Sequence, residues 1–235
     1  MAEKLRSALN PIHWFLLLKA VVVAGGWYFL SPTIALILLT LVYVIPPYRS
    51  GSFALAFLVL FFTIGQTSPT FLFAILMGLA VYTLLGVKNL ILINRATAYQ
   101  VLVILLLFFM WLTFFSTVGG FYSLSMLFSL IAIAVFFYYF TWRSISIRDP
   151  NQTLGHRNLL LAVTSFLVLE WGLVVMFLPL PQYSQVALAL LVTGFLLEIV
   201  LQYISGQLTV KNLLVYFSMF FPLLVAVLVF TPKSI

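Results

Sequence analysis

Cysteine is absent from this chain of 235 residues, which excludes disulfides, thiolate metal sites, thiol nucleophiles and redox motifs. Acid is scarce as well. Four Asp and Glu stand against eleven Lys and Arg, and charged residues make up 6% of the sequence, where a soluble domain carries roughly 25%. So few charges cannot cover a water-soluble globule, and a hydrophobic content of 65% calls for the bilayer as a second, apolar solvent. Histidine is limited to His13 and His156. Neither has a second His, Asp or Glu at ligand spacing on its own helix, so no haem, zinc or other cofactor is expected. A glycine-rich phosphate loop, a Ser placed with a nearby His and acid, and a His-Glu zinc signature are also missing. The net charge of +7 does not point to nucleic acid, because the cations come singly or in loose pairs between apolar spans, not as a stripe with interleaved aromatics.

What remains is a succession of apolar runs broken by Pro, Gly or charge. Nine are expected as helices: 13–30, 33–45, 52–65, 70–86, 98–118, 121–142, 158–178, 183–205 and 212–230. The second and third are short for a full crossing, which takes about 20 residues, so they must draw in their flanks or lie in a thinned or protein-surrounded region. The reading is an all-α integral membrane protein: one polytopic helical bundle over 1–235, with no soluble domain.

Positive charge collects near span ends on the cytoplasmic side. With the N terminus inside, the inner segments hold Lys4 and Arg6, then Arg49, then Lys88 and Arg95, then Arg143, Arg148 and Arg157, then Lys211, whereas the intervening outer turns hold none. Joining the first two runs through Ser31-Pro32 would reverse every later loop. Nine crossings are therefore expected, N terminus in and C terminus out, in the cell membrane. Lys4 and Arg6 ahead of an apolar run also resemble a signal peptide, but Lys19 interrupts that run and an uncleaved helix is expected. Asn151-Gln152-Thr153 is a formal glycosylation acceptor placed on the unused, cytoplasmic side. The repeated Val-Lys-Asn-Leu at Val87–Leu90 and Val210–Leu213 reads as two basic interfacial anchors at helix starts. Tyr28, Tyr43, Tyr48, Tyr122, Trp142 and Tyr183 fall near span ends, where amphipathic rings suit the headgroup level. Ala74 with Gly78, and Ser125 with Ser129 and Ala132, are small-residue patterns for close helix contact.

Three ionisable residues lie within the runs: Lys19, Glu170 and Glu198. Such groups cost about 2.5 to 3.5 kcal/mol on insertion scales and so favour the bundle interior and a partner. A rise of 1.5 Å per residue puts Lys19 about 12 Å and Glu198 about 10 Å from the inner ends of their helices, with Glu170 roughly 18 Å deep. Lys19 and Glu198 could meet at one level, although a snorkelling Lys19 is the plainer expectation. Glu198 shares a face with Ala187, Gly194, Gln202 and Ser205, read as inward, and Gln202 lies one turn away to donate to its carboxyl group. Glu170 has only apolar neighbours at helical spacing, so without a partner from another helix it is expected as the neutral acid, since desolvation disfavours the carboxylate.

The basic cluster Arg143, Arg148, His156, Arg157 and Asn158 is expected to contact anionic lipid of the inner leaflet. A lipid-phosphate enzyme would need metal-binding carboxylates at that surface, and only Asp149 is there. Catalysis is therefore not expected. The first expectation is a non-enzymatic subunit or scaffold of a membrane assembly, partnered by the bilayer and by other membrane subunits or further copies of itself. The second is a small proton-coupled carrier using Lys19, Glu170, Glu198 and Gln202, since interrupted helices mark transporter sites. The third is a lipid-phosphate-handling enzyme at the cytoplasmic face.

Overall fold

A computed structural model describes residues 14–45, 50–89, 94–117, 124–148 and 154–230. Among them the backbone is helical and contains no strand. In chain order the α-helices are α1 (Trp14–Phe29), α2 (Pro32–Val44), α3 (Ala54–Gln66), α4 (Phe71–Lys88), α5 (Arg95–Thr117), α6 (Leu124–Arg148), α7 (Leu154–Phe177), α8 (Gln182–Ile204) and α9 (Val210–Phe230), with a short 3-10 turn at Ser50–Phe53 before α3. Six of them, α4 to α9, are long and apolar enough to cross a bilayer, while α1, α2 and α3 are shorter.

Local chemistry sets the ends of several helices. Ser31 accepts a hydrogen bond from the Ile34 amide at 3.4 Å, with Pro32 in the first turn of α2. Thr70 accepts from Phe73 at 3.3 Å at the start of α4, and Asn94 accepts from Thr97 at 3.2 Å at the start of α5. These side-chain acceptors satisfy amide groups that the helix itself leaves without partners. Within the spans, hydroxyl groups turn back onto their own helices: Thr63 to Val59 at 2.8 Å, Thr193 to Ala189 at 2.9 Å and Ser165 to Leu161 at 2.7 Å. They can thus be buried among apolar side chains without loss.

The sixth apolar run was expected to end at Trp142 and the seventh to begin at Asn158, leaving a polar stretch between. Instead α6 continues to Arg148 and α7 starts at Leu154. The helix outlasts the apolar run because helical hydrogen bonds do not require apolar side chains, and Ser144 and Ile145 beyond Trp142 are themselves buried.

The chain forms two compact units, 1–109 and 110–235. In the first, α1 packs on α2 and α4, and α3 packs on α2 and α4. The Ala74 and Gly78 pattern is used there: a Cβ on Gly78 would stand 3.3 Å from the Ala24 Cβ and 3.8 Å from the Ala20 carbonyl oxygen, so the absent side chain lets α1 and α4 approach. Leu16, Val23 and Trp27 of α1, Leu60 and Ile64 of α3, and Met77 and Leu84 of α4 fill this core.

In the second unit α7 packs on α6 and α8, α6 also meets α8, and α9 lies against α8. Ser129 and Ala132 lie on an exposed side of α6, not at a helix contact, and the Ser125 side chain is outside the described residues. The close approach is made at Gly172 of α7, where a Cβ would stand 2.7 Å from both Leu130 Cδ2 and Trp111 Cη2. Trp111 is fully buried, and its rigid ring cannot turn aside as a leucine tip can. Overpacking of this kind costs about 1–3 kcal/mol. Gly172→Ala is expected to lower the thermal unfolding midpoint in detergent, and Gly172→Leu to lower it further. An unchanged midpoint in Gly172→Leu would refute this account of the packing.

Candidate functional site

The polar groups within the spans are best followed from the end of α2. An α-helix leaves its last carbonyls without donors, and here the sequence deepens the deficit, because Pro46 and Pro47 carry no N–H to bond Val42 and Tyr43. Two lysines from other helices donate to carbonyls at this end, one of them to that of Tyr43. Lys88, at the last turn of α4, donates its Nζ to the Tyr43 carbonyl oxygen. Lys19 of α1 donates to the Ile45 carbonyl oxygen at 3.0 Å. Each ammonium also stands over an aromatic face, Lys88 at 4.4 Å from the Tyr43 ring centre and Lys19 at 4.7 Å from that of Phe15. Lys88 is wholly buried. Cations at a helix C-terminus also complement its dipole.

Lys88 and Tyr43 were both read from sequence as facing the membrane interface. Lys88 is instead buried in the protein, and Tyr43 is 5% exposed and stacked on Phe57 at 4.5 Å. Lys19 is half-buried on the first unit with a carbonyl for a partner. The clue in the sequence was the Pro-Pro pair, which removes the amide that would have bonded Tyr43.

Glu198 and Gln202 lie one turn apart on α8, and Gln202 Nε2 donates to Glu198 Oε1 at 3.0 Å. The same amide donates to the Tyr216 hydroxyl of α9, and that hydroxyl lies 3.5 Å from Glu198 Oε1. Gln202 Oε1 is buried with no hydrogen-bond partner among the described residues. The face was expected to point inward. It is half-buried, Ala187 is exposed, and nothing stands within 4 Å of a Cβ built on Gly194. The buried stripe of α8 is Val186, Ala189, Thr193, Leu197 and Val200. The polar face turns toward Tyr216 because that hydroxyl is what completes it. Phe195 adds contact between the same two helices, with ring centres 4.5 Å from Phe220 and 5.2 Å from Phe217. Tyr216→Phe, costing about 0.5–1.5 kcal/mol, is expected to loosen α9. Limited proteolysis at the 206–209 connection should then run faster than in the parent chain, and faster still with Phe195→Ala; equal rates would show that this cluster does not hold α9.

Glu170 stands on the exposed side of α7 and has no hydrogen bond or ion pair among the described residues. Along the same side, Val163, Phe166, Val174 and Phe177 are 51%, 58%, 49% and 62% exposed. The opposite side, through Leu161, Val168, Gly172 and Val175, is packed.

Of the basic cluster, Arg157 is 8% exposed, with its guanidinium carbon 5.9 Å from the Trp142 ring centre, and Arg143 is half-buried at the end of α6. The side chains of Arg148 and His156 are outside the described residues. Between α1 and α4 runs an apolar groove of about 850 Å³, floored by Ala20, Ala24, Ala74 and Gly78 and edged by Tyr28 and Tyr82, with no charged side chain in its lining. Among the described residues no three His, Cys, Asp or Glu gather as a metal would require.

No protein-family model matches the chain, and neither curated proteins nor solved structures give a match.

The Lys88 bond gives a direct test of this construction. Lys88→Met keeps the apolar stem and removes the donor, leaving a buried carbonyl unsatisfied, which costs about 1–3 kcal/mol. A lower thermal midpoint is expected for Lys88→Met than for Lys19→Met, whose partner carbonyl is less enclosed. The reverse order would overturn the assignment.

Proposed function

We propose that this chain is a non-enzymatic subunit or scaffold of a membrane assembly, spanning the cell membrane nine times with its N terminus inside and its C terminus outside. The observation that carries the reading is where the polar groups within the spans go. Lys19 and Lys88 are engaged by backbone carbonyls of α2, and Glu198 by Gln202 and Tyr216. Within each unit these bonds join one helix to another. The topology rests on the distribution of Lys and Arg, which puts the basic residues at one level and leaves the alternate turns bare. It requires α1, α2 and α3 to cross despite their length, and α2 has side-chain partners within the protein at both ends.

A subunit should leave the membrane in company. Extraction of the native protein in a mild detergent is expected to give a particle larger than the monomer, of constant composition. A lone monomer would overturn the reading. The rival reading, a proton-coupled carrier, assigns Glu198 to the transport path. Proteoliposomes loaded with a pH-sensitive dye are expected to show the same proton flux for the parent chain and Glu198→Gln; a flux that depends on Glu198 would replace the subunit by a carrier.

A further inference from the structure

Glu170 is the feature of the second unit that its own packing leaves without an explanation. It lies in the membrane-spanning part of α7, thirteen residues beyond Arg157, which is about 20 Å along the helix, on a face otherwise made of Val163, Phe166, Val174 and Phe177. Ionisable groups in spans normally face a partner or a water-filled cavity, because hydrocarbon offers a carboxyl group no hydrogen bond. No partner comes from its own unit among the described residues: Arg143, Arg157 and Lys211 all sit at the inner ends of their helices. Lys19, within a span, and Lys88, at the end of one, are bonded to carbonyls at the end of α2.

We propose that the exposed face of α7 is a docking surface for a transmembrane helix of another protein, one that carries a Lys or Arg at the depth of Glu170. The proposal rests on the subunit reading and adds the surface and the chemistry of the partner. Charge complementarity selects the occupant. A second copy docking through the same face would bring the same apolar side chains and another carboxyl group, with no positive charge to complement the first. Lipid would match the apolar side chains and leave Glu170 unsatisfied. A basic helix matches both, burying the Phe and Val side chains against its own apolar residues while the ion pair fixes depth and register.

The test uses the full-length protein in native membranes. Photo-crosslinkers are introduced as Phe166→p-benzoylphenylalanine and Val174→p-benzoylphenylalanine, one turn to either side of Glu170, with Val135→p-benzoylphenylalanine on α6 as the control position. Both α7 positions are expected to join the same transmembrane peptide, with a Lys or Arg within one turn of the attachment point. Glu170→Lys is expected to reduce that product at least tenfold, and Glu170→Gln to reduce it less. Dicyclohexylcarbodiimide, which attacks a protonated carboxyl group in apolar surroundings and spares one held in an ion pair, is expected to modify Glu170 only after the partner has been stripped away by detergent. Equal modification of Glu170 before and after stripping would overturn the proposal, as would products to lipid alone, to a second copy of this chain, or to a helix without a basic residue. An assembly that forms while neither α7 position crosslinks in the chain that keeps Glu170 removes this surface and leaves the subunit reading standing. Absence of any assembly removes both.

Discussion

The first unit is organised around carbonyl groups that its own sequence strands. α2 ends against Pro46 and Pro47, which have no N–H to give, and in an apolar solvent a stranded carbonyl finds no water to replace the missing donor. Lys88 from α4 bonds the Tyr43 carbonyl, and Lys19 from α1 bonds that of Ile45 just beyond it. Three helices are thereby pinned at one point by directed bonds, while elsewhere in the unit contact is by apolar side chains that distinguish poorly between one register and another. The close approach at Gly78 then follows, since α1 and α4 must come together for both ammonium groups to reach the same helix end.

The second unit distributes its polarity differently. Glu198, Gln202 and Tyr216 form a network between two consecutive helices, and α9 lies against α8 with most of its length exposed. The three ionisable residues within the spans thus have three separate fates. Lys19 is bonded to backbone, Glu198 to side chains, and Glu170 faces outward on α7. Equal hydropathy cost at the sequence level conceals these differences, because cost depends on residue type and depth, whereas fate depends on which neighbour can donate or accept.

Helix positions were legible because apolar runs end where Pro, Gly or charge interrupts them, and each of the nine runs contains one helix. The bond from Gln202 to Glu198 was legible from spacing alone, as an i to i+4 pair. Facing was not. In a helix bundle in lipid the core side and the lipid side are both apolar, so periodicity gives no inward direction, and Ala187 and Gly194 were read as interior when their surroundings are open. Tyr216 and Lys88 escaped notice for a related reason: their partners lie on other helices, and no repeat along one chain segment encodes a meeting across two.

The capping of α2 also has a temporal side. Tyr43 and its donor are separated by 45 residues of sequence. On a ribosome adding roughly 5–20 residues per second, Tyr43 is synthesised about 2 to 9 seconds before Lys88. During that interval the helix is thirteen residues long, short for the bilayer, and its terminal carbonyls have no internal donor. The cap is thus the last part of this helix end to arrive, and the contacts that join α1, α2 and α4 there are completed only once α4 has been made.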